Sequence, residues 1–525
     1  MILKQASCYK LTACFSATTP ERAMLPKRQL TINILAAGTQ ALITGLGFFF
    51  LYRFVEGAVG IERLGVWSLV LGSVIVTSLV NLGLGSSVVK FVSMHLARGD
   101  AARAALVAQT AFLTLAAILP VVLFAIYPVV KWALATLPDD LRDAPALLSE
   151  ALIILPYAMG SFWALSVASV SLGIIDGHHR IDLRSSLQIC GVFVYLIVAF
   201  RLVPDHGLLG LAWAHLAQSV LLLLGSWIVA YKLLDPLPLF PWKWRSHALK
   251  EILEYSLKFQ VIAIFWMLVD PLTRWLVSVF GGLAATGWLE YASRMVFQLR
   301  ALFASAHQAL VPTIARLQEH QTAMLNTVYR ASFRIILYLV LLFLPVLIAA
   351  TPFVSLLWHR GTIQPTFVLY AVLLFLGWFL NLLSNPAYFA YIGIGTLRWN
   401  VIGRITIGVL HPALGGPFGW LFGGTGVVLG FVLALIVDSS FTAVAYQREH
   451  EIRFSELVDH ASVRLGAIGI SCLALMWVIL ESTGVSWAMA IAAPTIMGLV
   501  LLLPAWRHPI RIEIRQWLSQ LRTAA

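Results

Sequence analysis

Long apolar runs, broken by short polar or glycine-rich turns, recur along almost the whole chain. A hydrocarbon core about 30 Å thick needs roughly twenty apolar residues in a helix. Runs of about that size lie near residues 30–52, 64–89, 104–130, 147–175, 186–200, 207–233 and 259–280, then 284–310, 335–358, 367–394, 401–422, 426–445, 463–480 and 485–506. Membrane-spanning strands would show segments of about ten alternating residues instead. The pattern predicts an all-α polytopic membrane protein of about fourteen transmembrane helices.

Composition agrees. Of 525 residues, 60% are hydrophobic and 11% charged, against about 25% charged in soluble domains, so the main solvent is lipid. The net charge of +12 changes meaning once each cation is assigned a side. With a cytoplasmic N-terminus, about 27 Lys and Arg fall on inner loops and termini, whereas Arg53, Arg63, Lys131, Arg142, Arg201 and Arg360 fall outside. Arg274, Arg294 and Arg300 remain within spans. That bias places both termini in the cytoplasm and accounts for the basic balance without nucleic acid.

Residues 1–25 lack a cleavable apolar core and are expected to be a disordered extension, with Met24 as an alternative start. The connections 234–258 and 447–462 and the tail 509–522 read as amphipathic surface segments. No loop is long enough for a catalytic domain, and no nucleotide or nucleophile motif is present. The chain is therefore expected to be no enzyme and to need no cofactor. Cys8, Cys14, Cys190 and Cys472 form no CxxC pair, and Cys190 and Cys472 are expected to be buried small hydrophobes.

The two halves resemble each other. Val55, Gly60 and Gly65 have the spacing of Val277, Gly282 and Gly287; Gly177 to Arg180 echoes Gly395 to Arg398, and Gly207 to Gly210 echoes Gly423 to Gly426. Tyr231 and Tyr446 close the two units. Six helices per unit give both the same orientation, and thus a pseudo-two-fold axis along the membrane normal. The expected organisation is an N-lobe (26–236), a C-lobe (237–450), and two extra helices with an amphipathic tail (451–525).

Charges inside spans are the candidate chemistry, because each costs at least about 2.5–3.5 kcal/mol unless paired or hydrated. Asp270 and Arg274 are spaced i, i+4, as are Glu290 and Arg294, with the acid first. Two readings stay open: neutral pairs that pin neighbouring helices, or cavity-lining groups whose arginines hold a diphosphate or acidic sugars. Arg300 has no acid one turn away and is either a substrate contact or an inner-end snorkelling residue. Arg53 and Glu56 are further cavity candidates or else a simple interfacial pair, and Asp438 is either a helix–helix or interfacial group or an ion-coupling site. Pro271 is expected to kink its helix. Asn81, His215, Gln218, Arg404 and His411 are expected to be helix–helix hydrogen-bonding or interfacial groups. Asp176, His178, His179 and Asp182 lack metal-site spacing and read as a solvated loop.

The segment 64–100, LGVWSLVLGSVIVTSLVNLGLGSSVVKFVSMHLARGD, carries a family pattern. Asn81-Leu-Gly-Leu-Gly85, Lys90-Phe91 and Arg98-Gly-Asp100 resemble the early signature of polysaccharide flippases of the multidrug/oligosaccharidyl-lipid/polysaccharide exporter superfamily, with Asn81 in place of the commoner Asp. Tyr291-Ala-Ser-Arg294 and Leu310-Val-Pro-Thr313 look like that family's eighth helix, and 381–395 like its tenth. The likeness runs in order through residues 26–448. It implies a monomeric carrier in the bacterial inner membrane that moves polyprenyl-diphosphate-linked glycan, of O-antigen or exopolysaccharide type, by alternating access between two lobes. Implied partners are that glycan, anionic phospholipid and other polysaccharide assembly proteins. A multidrug/cation antiporter of the same superfamily stays open, although those usually have about twelve helices and acid-rich lobes. A membrane polymerase or glycosyltransferase would need longer outer loops than 139–143.

Overall fold

The computed structural model describes residues 27–75, 84–305, 325–394 and 396–511. Its helices are α1 (Lys27–Val59), α2 (Ile61–Ile75), α3 (Leu84–Ala97), α4 (Ala101–Thr136), α5 (Asp139–Asp143), α6 (Pro145–Gly177), α7 (Ile181–Leu233) and α8 (Ser246–Ser305). They continue as α9 (Leu325–Trp358), α10 (Pro365–Leu382), α11 (Asn385–Ile394), α12 (Arg398–Glu449), α13 (Phe454–Leu457), α14 (His460–Thr483) and α15 (Trp487–Trp506). No strand occurs among the described residues. Nine of the helices are long and apolar enough to cross a membrane.

Three long helices are each two crossings joined at a glycine. Gly207, Gly282 and Gly423 have φ values of +56°, +82° and +62°, a region that costs only glycine little. Along a straight helix Leu202 and Gly210 would stand roughly 12 Å apart, yet a β-carbon on Gly210 would lie 2.5 Å from the Leu202 carbonyl. Gly426 meets the Phe418 carbonyl in the same way. Counted by arms, and pairing α2 with α3 and α10 with α11, the described helices supply about fourteen crossings.

The internal repeat is also present in three dimensions. Gly60 and Gly282 share a left-handed φ, +87° and +82°, and open α2 and the second arm of α8. A β-carbon on Gly65 would collide with the Leu283 carbonyl, and one on Gly287 would lie 2.5 Å from the Ile61 carbonyl. Each helix thus meets the other at the equivalent point, as a pseudo-two-fold axis requires.

The described residues form two compact units: Thr31–Gln298 with Arg404–Ala434, and residues 27–30 with 299–403 and 435–511. In the first, α3, α4, α6 and the end of α7 share a core with Leu234, Leu237, Ala248 and Ile252. In the second, Tyr338 and Ala349 of α9 pack with Leu465 of α14 and Met497 and Leu501 of α15, which fastens the two last crossings.

Several expectations change. The helix of the seventh crossing starts at Ser246, so the region 234–258 is a surface segment only as far as Arg245. The tenth crossing breaks at Leu383 and Ser384, where the Ser384 hydroxyl donates to the Asn381 carbonyl at 2.8 Å. Inside α8 the non-helical point is Gly282. Cys190 is exposed and Cys472 half-buried, both as free thiols. Cys190 is thus no core residue, whereas Cys472 packs at the margin of the core that α9, α14 and α15 share. Residues 1–25, Cys8, Cys14, Asn81, 310–313 and the tail beyond Arg511 lie outside the described residues.

Candidate functional site

The turn at Gly282 brings the two arms of α8 side by side. Arg274 and Glu290 would be roughly 24 Å apart on one straight helix, yet Arg274 Nη2 donates to Glu290 Oε2 at 3.1 Å. Both i, i+4 pairs form as well. Arg294 Nε donates to Glu290 Oε1 at 2.7 Å, and Arg274 Nη1 donates to Asp270 Oδ2. Two donors come from the first repeat: the Tyr52 hydroxyl of α1 and the Ser68 hydroxyl of α2, each 2.8 Å from the Glu290 carboxylate. Four donors therefore converge on one carboxylate that is 1% exposed. That is how a charge at this depth is satisfied.

Glu290 lies eight residues beyond the turn at Gly282, roughly 12 Å along the helix from it, and Arg294 lies roughly 18 Å along. The formal charges of Asp270, Arg274, Glu290 and Arg294 cancel. Exposure separates them: Arg274 is buried with Glu290, whereas Asp270 is 39% and Arg294 35% exposed. The Arg294 guanidinium also lies 5.1 Å from the Phe48 ring centre and 6.0 Å from that of Tyr52. Among the described residues only its Nε is engaged in a hydrogen bond, so its two terminal nitrogens are presented to a further acceptor.

The cluster follows the repeat. Ser68 and Glu290 are 222 residues apart, the same offset as Gly60 and Gly282. At that offset Phe48 corresponds to Asp270, Tyr52 to Arg274 and Gly72 to Arg294. The second repeat supplies the charges and the first supplies an aromatic floor, two hydroxyls and space. A β-carbon on Gly72 would come 3.0 Å from Arg274 Cδ, so glycine there leaves room for the guanidinium. Tyr52 and Ser68 were not singled out from the sequence, although the repeat offset marks both.

The other candidates are dispersed. Glu56 accepts from the Tyr291 hydroxyl at 2.8 Å, which joins α1 to α8 just outside the cluster, and Arg53 is half-buried on α1. Arg300 belongs to the other compact unit. There its Nη2 donates to Asn381 Oδ1 at 3.2 Å and its guanidinium stacks 4.3 Å from the Trp378 ring centre. Asp438, in the same unit, is 3% exposed on α12 and packs against Gly403. His411 joins helices as expected, with Nε2 3.0 Å from Thr273 Oγ1. The turn after α6 is held by ion pairs of Arg180 with Asp182 at 2.9 Å and of Arg184 with Asp176. Among the described residues no group of three or more His, Cys, Asp or Glu is placed to hold a metal ion.

Solved structures share the fold. The lipid II flippase MurJ in its inward closed conformation matches with a TM-score of 0.70 at 14% identity, over 93% of this chain and 100% of that one. The inward-facing conformation of a multidrug resistance MATE family transporter of the MOP superfamily gives 0.64 at 16% identity, over 80% and 98%. The Vibrio cholerae MATE transporter VcmN, as a mutant, gives 0.57 at 13% identity, over 82% and 100%. No curated protein sequence matches significantly. The fold is that of the MOP-superfamily membrane transporters. A family model described as "Polysaccharide biosynthesis protein" matches residues 28–318, more than half of the chain, and the protein belongs to that family.

Proposed function

We propose that this protein is a flippase that carries polyprenyl-diphosphate-linked oligosaccharide, or a related polysaccharide precursor, across the bacterial inner membrane by alternating access. Residues 26–236 and 237–450 are its two moving lobes, and both termini are cytoplasmic. The observation that carries the reading is Arg294. Its terminal nitrogens are open near mid-depth, and Glu290 and the Phe48 and Tyr52 rings fix the orientation of its planar fork. A guanidinium held in this way suits a diphosphate, because two parallel N–H donors match two phosphate oxygens. Glu290 spends its own charge on Arg274 and Arg294, so it orients the site and does not recruit a cation.

The test is deletion of the gene, followed by measurement of the amount and sidedness of polyprenyl-diphosphate-linked oligosaccharide. Rescue is compared for wild type, Arg294→Ala and Arg300→Ala. Intact units trapped on the cytoplasmic face and released only by wild type support the flippase and both arginines. Normal export in the deletion strain, with no paralogue substituting, removes the reading; new sensitivity to cationic drugs there would favour the antiporter.

A further inference from the structure

The connection between the two repeats, residues 234–245, contains no helix, yet it is firmly held. Gln109 Oε1 of α4 accepts the backbone N–H groups of Trp242 and Lys243 at 3.3 and 3.2 Å. The Trp244 indole donates to Thr114 Oγ1 of α4 at 3.1 Å, and the Trp227 indole of α7 donates to the Leu239 carbonyl at 2.7 Å. Leu234 and Leu237 are buried in the core of the first unit. Despite these restraints, Phe240 is 79% and Trp242 70% exposed. Rings held open by a pinned backbone mark a surface that meets something apolar.

The depth of this surface follows from α4. That helix has 36 residues, roughly 54 Å, against a hydrocarbon core of about 30 Å. Lys131 is charged and exposed near its outer end. Roughly twenty residues inward from Lys131, the inner edge of the hydrocarbon falls between Gln109 and Thr114. Trp242 and Trp244 therefore sit at the acyl–headgroup boundary, where Trp concentrates in membrane proteins. The Lys243 ammonium lies 4.9 Å over the Trp242 ring, so cation and ring share one level. Nearby cations are Lys232, Arg245 and Lys250; the acids are Asp235 and Glu251, and Glu251 is paired with Arg103 at 3.3 Å.

We propose that this connector is a rigid anchor for anionic phospholipid of the inner leaflet. Phe240 and Trp242 enter the boundary, and Lys243 and Arg245 hold the lipid phosphates. The anchor is independent of what the carrier transports. Because the connector is fastened to the first repeat, it seats that repeat in the bilayer while the second begins beyond it.

The test uses the full chain in two measurements. In bilayer nanodiscs, a spin label at Phe240→Cys in a cysteine-free background should collide more with oxygen than with a water-soluble nickel chelate; the reverse preference overturns the proposal. In detergent, phosphatidylglycerol should be retained over phosphatidylcholine, read by mass spectrometry of the bound lipid. Lys243→Gln with Arg245→Gln should lower that retention by roughly thirtyfold, since each cation near an anionic surface is worth about 1 kcal/mol. Arg448→Gln with Arg453→Gln, on another inner loop, should leave it unchanged. Equal loss in both double variants, or in neither, overturns the anionic assignment even if the label lies in the interface.

Discussion

Gly65 and Gly287 are reciprocal: a β-carbon on the first would strike the Leu283 carbonyl, and one on the second would lie 2.5 Å from the Ile61 carbonyl. The opening turns of α2 and the second arm of α8 thus cross with backbone close to backbone, and the Ile61 side chain also packs against Gly287. Gly65→Ala or Gly287→Ala must push the helices apart, at about 1–3 kcal/mol each. Because both act on one crossing, the double variant should cost clearly less than the sum. Denaturant unfolding of the three variants in detergent checks this; strict additivity would contradict a shared crossing.

Glu290 is the common acceptor of Tyr52, Ser68, Arg274 and Arg294. Glu290→Ala leaves two guanidinium groups without their carboxylate and should cost about 3–5 kcal/mol. Tyr52→Phe removes one hydrogen bond to a charged acceptor and should cost about 1.5–3 kcal/mol. Thermal melts should rank Glu290→Ala below Tyr52→Phe, and the opposite order would show that the carboxylate is not the hub.

Arg294→Lys keeps a positive charge beside Glu290 but loses the planar fork. The variant should fold like wild type while glycan export falls about tenfold or more, the equivalent of one lost charge-assisted hydrogen bond of about 1.5–3 kcal/mol. Export at the wild-type rate from a folded Arg294→Lys protein would remove Arg294 from the transport path.

Asp140 of α5 reaches the opening turn of the second arm of α8, where its Oδ2 accepts the Leu283 N–H at 2.7 Å. Gly282 admits the carboxylate, since a β-carbon there would lie 2.7 Å from the same oxygen. Asp140→Ala should cost about 0.5–2 kcal/mol, as for a lost helix cap, and Asp140→Asn, which keeps an acceptor, should cost less. Amide exchange at Leu283, followed by mass spectrometry, should speed up in Asp140→Ala.

Asp459 and His508 form a pH-sensitive contact outside the crossings. The His508 Nδ1 accepts the Ile510 N–H at 3.3 Å and its Nε2 lies 3.1 Å from the Ser462 hydroxyl, an arrangement suited to the neutral ring. Burial holds His508 below the usual histidine range, partly offset by Asp459. Burial pushes Asp459 up, but hydrogen bonds from Ser462 and the charge of His508 hold it below the usual carboxylate range. Each group thus binds its proton more readily unfolded than folded. Stability is full above the ordinary histidine range and falls on acidification, first through His508 and then through Asp459. Melting temperature against pH should show this decline, and His508→Gln should flatten its upper part.

The crossings and the repeat were legible because both depend on local patterns. Lipid demands about twenty apolar residues per helix, and a left-handed turn demands glycine, which the spacing of Gly60 and Gly282 records. The pairing of Asp270 with Arg274 and of Glu290 with Arg294 was legible for the same reason, since i and i+4 share a helix face. Tyr52 and Ser68 were hidden, because a hydroxyl in an apolar run looks alike whether it bonds its own helix or a carboxylate on another. The pinned connector was read as merely amphipathic, because its partners Gln109 and Thr114 are distant in sequence.

The sequence by itself determined the solvent of this protein, the number of its crossings and the residues that carry charge into the membrane, all consequences of transfer energy and helix period. Only the tertiary structure decided which of those charges is spent and which is presented. The turn at Gly282 sets Glu290 against Arg274, the crossing at Gly65 and Gly287 brings in the Ser68 hydroxyl, α1 adds that of Tyr52, and Arg294 is left with its terminal nitrogens open. Those contacts join positions far apart in the chain, so helix-to-helix packing, and no local preference, settles them.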